Sequence, residues 1–256
     1  MARHIEAWMD GKRLSDIGAV VIQGVSEPAP DMEITYGNRT FRGGQIVQKR
    51  RRKALRVTIH AAIHELFDLK KRNEIRQAIA EWCGGSVLEL SNHTGQRLHV
   101  MCKAEPGLGD VREFSSQLDI ELEANTVPYW EEKLPNTVSG SGDTGSATLQ
   151  ISGTAKEVPV EVTFTPGSSL TTLTVSVSSG GVTRQIVLYG LSLTGAVTFG
   201  RDADDRLTIM SGTTSLMRYR TEGSADDLVI PAGTATVSWS ANTGGSITFS
   251  ARGRWL

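Results

Sequence analysis

The sequence lacks several signals that would assign it to a familiar class of protein. It has only two cysteines, Cys83 and Cys102, and neither lies in a CxxC motif. This pattern excludes a disulfide framework and a cysteine-rich zinc motif, and it predicts two free thiols. The N-terminal residues show no apolar run typical of a signal peptide, and no stretch of 18 apolar residues predicts a membrane span.

The chain also lacks an excess of basic charge. Its 27 Lys and Arg residues are balanced by 28 Asp and Glu residues, which gives a net charge of −1. Domains that bind nucleic acid are usually strongly basic, so the balance argues against that function. The exception is the run KRRRK at residues 49–53. Because Leu55, Val57 and Ile59 alternate with polar residues directly after it, the run is predicted to lie at the entry to a half-buried strand.

No catalytic signature is present. The sequence has no GxSxG, GxxxxGK[ST], HExxH or dinucleotide-binding motif. DTGS at residues 143–146 matches an aspartic-protease tetrapeptide, but it follows a Gly/Ser-rich stretch instead of a buried strand and is interpreted as part of a linker. His60 and His64 have metal-ligand spacing, but the alternation around His60 predicts a strand and not a helix. We therefore expect no catalytic residue, no cofactor and no metal site.

An Asp-rich segment, DADDRLTI from Asp202, resembles the start of a calcium loop. It lacks the glycine and the final glutamate that such a loop needs. Asp favours tight turns, so the segment is predicted to be a polar hairpin turn.

The composition changes near Pro135. Charged residues are dense before it, and Ser, Thr, Gly and Val dominate after it. PNTVSGSGDTGSAT, at residues 135–148, is Gly/Ser-rich and is predicted to be a flexible linker or long loop. The sequence thus predicts two domains, residues 1–134 and 135–256.

The first half is predicted to be mostly strands with one helix. Asp10-Gly11 between two strand-like runs is typical of a type I′ hairpin turn. In DLKKRNEIRQAIAEWCGG, Ile75, Ile79 and Trp82 share one helical face, and Gly84 is placed where a left-handed glycine would end the helix. Asp68 is the predicted N-cap.

The second half is predicted to be all β. Short strand-like runs are separated by turn signals about 8–12 residues apart, which favours a sandwich or barrel. The predicted fold class is therefore mainly β: an N-terminal β-sandwich or barrel-like domain with one α-helix, followed by a C-terminal β-sandwich.

The order of these segments is more informative than any single motif. A hairpin and a Pro-containing extended segment come first, and the helix NEIRQAIAEWCGG then leads into SVLEL and QRLHVMCKAEP. A long strand, REFSSQLDIELEANTVPYW, ends in Pro128, Tyr129 and Trp130, and the chain closes on ITFSARGRWL with Arg254 and Trp255. This order resembles the distal tail protein family of long-tailed, non-contractile (siphovirus-type) bacteriophages over nearly the whole chain.

The resemblance implies a structural role without catalysis. Members of that family form a hexameric ring at the tail tip of the virion, which joins the tail tube to the tail-tip hub and host-adsorption apparatus. DNA passes through the lumen without specific binding. A galectin-like C-terminal sandwich can carry receptor-binding or side-fibre proteins, and no membrane insertion is implied. Synthesis in the cytoplasm of the bacterial host follows from the same resemblance.

A ring requires heterologous contacts, in which one face of a subunit complements a different face of its neighbour. The family's belt-like loop is expected at residues 32–52. We hypothesise that a basic region meets an acidic face across the subunit boundary. The basic members are Arg39, Arg42, Lys49, Arg50, Arg51, Arg52 and Lys53, and the acidic members are Glu121, Glu123, Glu131 and Glu132.

Two alternatives remain open at the level of sequence. The first is a carbohydrate-binding protein that recognises a host-receptor glycan through its C-terminal sandwich, since exposed aromatic rings offer apolar platforms to sugars. Its candidates are Tyr189 and Tyr219, because Trp239 and Trp255 lie on strand-like runs and are predicted to be core residues. The second alternative is another ring-forming tail element, such as a tube or terminator subunit.

Overall fold

The computed structural model describes residues 5–18, 20–29, 32–38, 45–64, 69–104, 108–111, 115–124 and 126–255. Within these ranges the protein is mainly β, with one α-helix and two short 3-10 turns, which confirms the predicted fold class. The chain divides into two compact units, unit 1 at Met1–Trp130 and unit 2 at Glu131–Leu256. Each unit has its own buried apolar core.

Unit 1 contains the helix and the first twelve strands, the last of which crosses into unit 2. Their bounds are β1 Ala7–Met9, β2 Lys12–Arg13, β3 Val20–Ser26, β4 Met32–Asn38, β5 Gln45–Arg52, β6 Leu55–His64, α1 Leu69–Cys83, β7 Val87–Leu90, β8 Gln96–His99, β9 Met101–Cys102, β10 Leu108–Val111, β11 Ser115–Ala124 and β12 Trp130–Glu132.

The central sheet of unit 1 has the order β10-β11-β6-β3, with β9 also paired to β11. Strands β6 and β11 are antiparallel over ten residues, from Leu55 opposite Ala124 to His64 opposite Ser115. Leu55, Val57 and Ile59 are buried, which confirms the predicted alternation. A second sheet contains β2-β1-β7-β8 in that order.

The predicted hairpin turn between β1 and β2 is confirmed. Asp10 and Gly11 have φ values of 48° and 78°, and Met9 pairs with Lys12. Positive φ at both central residues is the requirement of a type I′ turn, and it matches the right-handed twist of the strands.

The helix α1 forms where the apolar periodicity predicts it. Ile75, Ile79 and Trp82 are buried on one face. Gly84 follows the last helical residue, but its φ lies outside the left-handed region, so the predicted left-handed cap is wrong. The next residue, Gly85, is required by close packing, because a Cβ there would lie 2.7 Å from the Oδ2 atom of Asp10. The predicted N-cap Asp68 lies outside the described residues.

The basic run was predicted to lead into the half-buried strand that begins at Leu55, but most of it lies in the preceding strand. Residues 49–52 lie within β5 itself, and only Lys53 and Ala54 separate β5 from β6. Strand β5 pairs with β4 in a separate two-stranded antiparallel sheet. The segment expected to be a belt-like loop thus contains a pair of strands.

Unit 2 is built from antiparallel strands of very different lengths, from two residues to 19. Their bounds are β13 Asn136–Ile151, β14 Val158–Pro166, β15 Leu170–Ser179, β16 Val182–Leu193, β17 Val197–Arg201, β18 Leu207–Ser211, β19 Thr214–Ser215, β20 Val229–Ile230, β21 Gly233–Ala251 and β22 Arg254–Trp255. The order is β16-β15-β21-β14-β17-β18-β19, with β13 paired to β21 and β20 paired to β14.

Two segments of unit 2 differ from the sequence prediction. Residues 136–148, predicted to belong to a linker or loop, form most of the strand β13, and the predicted pattern of short strands fails at β21, which is continuous over 19 residues. The glycines serve close packing here: a Cβ on Gly140 or Gly145 would lie 2.2 Å or 2.3 Å from the Trp239 ring. A Cβ on Gly245 would lie 2.4 Å from the backbone oxygen of Thr165. Composition therefore indicated flexibility where the fold needs small residues.

Candidate assembly surface

The exposed face of β6 and β11 carries basic and acidic side chains in register. Arg56 lies opposite Glu123, and His60 lies opposite Asp119. The His60 Nδ1 atom is 2.7 Å from Asp119 Oδ1. Since alternate residues of both strands fill the core, this charged face is the side of the sheet that is available for contacts.

A shallow groove of about 180 Å³ lies beside these charges. Lys103 contributes one wall, with its Nζ atom 4.0 Å from Glu123 Oε2. The groove combines basic, acidic and hydroxyl groups at one surface of unit 1. It is lined by Ser26, Pro28, Arg56, Thr58, Lys103, Glu121, Leu122 and Glu123.

The pair β4–β5 supplies the basic part of the predicted surface. Lys49, Arg50 and Arg51 lie opposite Thr35, Ile34 and Glu33, and Arg52 lies opposite Met32. The four basic positions of β5 thus face one acidic position across the ladder. Lys53 follows and is exposed. Arg39 and Arg42 lie outside the described residues.

The two remaining acidic candidates are held inside unit 2. Glu131 is 6% exposed, and its Oε1 atom accepts a hydrogen bond from Arg254 Nε at 2.7 Å. Glu132 Oε2 accepts hydrogen bonds from Asn136 Nδ2 at 2.6 Å and from the Gly253 backbone at 3.0 Å. The structure therefore leaves Glu121 and Glu123 as the members of the predicted acidic face that lie on the charged sheet of unit 1.

Asp205 completes a buried ion-pair cluster that the sequence did not reveal. Its carboxylate accepts hydrogen bonds from Arg254 Nη1 at 2.9 Å and Nη2 at 3.1 Å. Burial opposes the charged form of Arg254, but the hydrogen bonds that Arg254 donates to Asp205 and the attraction of Glu131 outweigh it and raise the pKa of Arg254. We call Glu131, Arg254 and Asp205 the C-terminal clasp.

The Asp-rich segment is confirmed as a hairpin turn between β17 and β18. Asp202 Oδ1 accepts hydrogen bonds from the backbone of Asp204 and Arg206, each at 2.9 Å. Asp205 has a φ of 60°, and its carboxylate binds Arg254. Arg254 belongs to the closing segment that carries the family resemblance, but nothing in the sequence connects it to Asp205, 49 positions away.

A second cluster, in unit 1, was also missed. Trp130 is 1% exposed, and its Nε1 atom donates to Glu27 Oε2 at 3.1 Å. His93 Nε2 lies 2.9 Å from the same carboxylate oxygen, and His93 Nδ1 lies 3.1 Å from Gln96 Oε1. Trp130 was noted as part of a family signature, but nothing in the sequence connected it to Glu27, over 100 positions away.

The described residues contain no cluster of three or more metal-ligating side chains. His60 lies on the strand β6, as the alternation predicts, and the strand continues to His64, so the two histidines do not share a helical face. In the same part of the chain, no helix has the length and apolarity to cross a bilayer.

Comparisons with known proteins resolve the fold. No protein-family model matches the sequence, and no characterised protein sequence matches it. The Dit (gp 19.1) protein of phage SPP1, described as a paradigm of the hub adsorption apparatus in phages that infect Gram-positive bacteria, is similar in structure, with a TM-score of 0.70 and 12% identity. The match covers 98% of this chain and 99% of that one.

A chain of the phage p2 baseplate in its activated conformation with Sr aligns over 97% of both chains at 10% identity. Its TM-score of 0.49 is too low to establish a common fold.

The match to the SPP1 Dit protein shows that this protein has the same fold across both units.

Proposed function

We propose that this protein is a distal tail protein of a long-tailed, non-contractile bacteriophage, a structural hub at the tail tip of the virion. The observation that carries the proposal is the fold match to the SPP1 hub protein over 98% of the chain. The match includes both units, which favours the hub over a tube or terminator subunit, since those usually lack an appended sandwich. The role requires assembly and no catalysis.

The proposed assembly is a hexameric ring formed by unit 1. A heterologous ring contact needs two different complementary surfaces on each subunit. The first proposed surface is the basic strand β5 with Lys53, to which Arg39 and Arg42 are assigned from the sequence alone, and the second is the exposed face with Glu121 and Glu123. The ring would bind the tail tube on one side and the tail-tip hub on the other. With a net charge of −1, DNA would pass through the lumen without specific binding.

Unit 2 is proposed to carry receptor-binding or side-fibre proteins. The fold match to a hub protein favours this role over glycan binding. Of the two glycan candidates, Tyr189 is 69% exposed, and the Tyr219 ring lies 4.8 Å from the Arg218 guanidinium. Trp239, which was predicted to be a core residue, is only 6% exposed, and its ring packs against Gly140 and Gly145. An aromatic ring covered by strands of its own domain is not a platform for a sugar.

The proposal is tested by measuring the mass of the purified full chain in solution and imaging it by negative stain. The expected result is a six-fold ring, or a multiple of six copies, with a central channel. If the free chain is monomeric, the same imaging is repeated after it is mixed with the phage's tail-tube and tail-tip proteins. A chain that forms no ring under either condition contradicts the proposal.

A further inference from the structure

The outer edge of β13 is a long strand edge without a described partner. Over its 16 residues β13 pairs with β21 through one edge, from Asn136 opposite Ala251 to Ile151 opposite Gly233. Strand β21 uses its other edge for β15 and β14. No other strand in the described part of the chain pairs with β13, so its outer N–H and C=O groups are open to a further strand.

This edge has few of the features that normally prevent strand addition. Edge strands are usually short or carry lysine, proline or a bulge. Strand β13 contains no proline and no lysine, and its one charged residue is Asp143. The register shifts between Gly142 and Thr144, and the Thr144 backbone donates to Asp143 Oδ1 at 2.9 Å. The bulge protects the middle of the strand and leaves the regular stretch of residues 136–142 open.

We propose that this stretch binds the same stretch of a second copy of the chain, as an antiparallel pair related by a two-fold axis at Ser139. Two-fold contacts use the same surface on both partners, so the surface must be self-complementary. With Ser139 opposite itself, Thr137 pairs with Ser141, and Val138 pairs with Gly140. Cross-strand pairs of Ser and Thr are favourable, and no like charges are opposed.

The residue pattern favours a second copy over an unrelated strand. Thr137, Ser139 and Ser141 are exposed on one face of the stretch, while Val138 and Gly140 are half-buried on the other. The two other side chains of the stretch, Val138 and Asn136, each meet a glycine of the second copy, and the hydroxyl side chains meet one another. In this register the two Asp143 residues are eight positions apart along the ladder, on the order of 25 Å, which is beyond the screening length at physiological salt.

The contact is separate from the proposed ring. It uses unit 2, whereas the ring is proposed to use β5 and the acidic face of unit 1. Two-fold pairing through unit 2 therefore doubles the number of copies in the assembly that unit 1 forms. A ring of six copies becomes an assembly of twelve.

Charge substitution at Ser139 tests the register. Ser139→Lys and Ser139→Glu each place like charges opposite one another at the axis, and each variant alone is expected to have half the wild-type mass. An equimolar mixture of the two is expected to recover the full mass, because Lys then meets Glu. Thr148→Lys, on the exposed face of β13 beyond the bulge, is the matched control and keeps the wild-type mass.

Cross-linking gives an independent measurement. Opposite residues in an antiparallel pair lie within the Cα separation that a disulfide needs. Ser139→Cys is expected to form dimers under mild oxidation, and Thr148→Cys is not. The wild-type chain controls for the native thiols, of which Cys83 is buried and Cys102 half-buried.

Three results would overturn the proposal. A Ser139→Lys mass equal to that of the wild type would show that no contact passes through Ser139. Failure of the mixture to recover the wild-type mass would show that the contact does not pair Ser139 with itself. A wild-type mass that is an odd number of copies would exclude two-fold pairing, whatever the outcome for the ring.

Discussion

The imidazole of His93 stacks on the indole of Trp130, with ring centroids 4.0 Å apart and planes inclined by 7°. Both nitrogens of His93 face side-chain oxygens, those of Glu27 and Gln96, so the protonated form of the ring can donate to both. Burial acts against each charge, but the bond between the pair outweighs it: the pKa of Glu27 is lowered, and the pKa of His93 is raised.

We expect this pair to stabilise the protein within a limited pH window. The raised pKa of His93 contributes stability that is complete below its ordinary value of about 6.5 and is lost as the pH rises through the folded value. The lowered pKa of Glu27 contributes stability above its ordinary value, which is lost as the pH falls through the folded value. His93→Phe should cost about 1–2 kcal/mol near pH 5.5 and much less near pH 9, as measured by urea unfolding.

His60→Phe is the matched control for that measurement. His60 also lies against a carboxylate, that of Asp119, but its side chain is 45% exposed. Exposed ion pairs contribute about 0–1 kcal/mol, so its substitution should change little at either pH. Equal pH dependence for both variants would contradict the assignment to Glu27 and His93.

Substitution of one member of the C-terminal clasp should destabilise the protein strongly, whereas substitution of all three members should destabilise it much less. Arg254→Met removes the guanidinium that bonds to the buried Glu131, and loss of one partner of a buried pair typically destabilises by about 3–5 kcal/mol. Replacing all three members, with Glu131→Leu and Asp205→Asn added, also removes the buried carboxylate and should recover much of the loss. Asn is chosen because it tolerates the positive φ at that position. Thermal unfolding of the single and triple variants gives the comparison, and a triple variant as unstable as the single one would exclude this explanation.

The contact between β13 and Trp239 predicts coupling between two substitutions. Gly145→Ala forces a methyl group against the indole, and overpacking of this kind costs about 1–3 kcal/mol. In a chain that already carries Trp239→Leu, the same glycine substitution should cost less than half as much. Gly200→Ala is the control, since its nearest neighbour would lie at an ordinary 3.6 Å. If the changes in the free energy of unfolding caused by Gly145→Ala and Trp239→Leu are strictly additive, contact with the indole is not the reason for a glycine at position 145.

The proposed ring should depend on the charge of β5. Arg50→Glu, Arg51→Glu and Arg52→Glu together are expected to weaken association about tenfold or more per contact, since each exposed ion pair is worth about 0.2–1 kcal/mol. Wild-type association should also weaken as salt screens these charges. A control with the same charge change uses the exposed residues Lys156, Arg184 and Arg206 of unit 2. Sedimentation of both triple variants against salt gives the measurement, and identical behaviour would contradict a role for β5.

Local chemistry determined which features could be predicted. The type I′ turn at Asp10-Gly11, the strand at Leu55–His64 and the buried face of α1 follow from short-range rules, and the structure confirms them. The Gly/Ser-rich segment of β13 was misassigned because the reason for its glycines, Trp239, is almost 100 residues away in sequence. Separation in sequence also concealed Glu27 from Trp130, 103 positions away, and Asp205 from Arg254, 49 positions away, since a contact between distant segments leaves no periodicity.

The pairing of β13 with β21 also determines how unit 2 would respond to a mechanical load. Asn136, at the start of β13, lies directly opposite Ala251, at the end of β21. Tension applied to the chain segments before Asn136 and after Ala251 would peel the hydrogen bonds of the β13–β21 ladder apart one after another. Both segments emerge at the same end of the ladder. Peeling needs less force than shearing a whole ladder at once. The bonds of Glu131 with Arg254 and of Glu132 with Gly253 lie just outside that first pair. They would be loaded first, and the sheet would begin to peel only after they rupture.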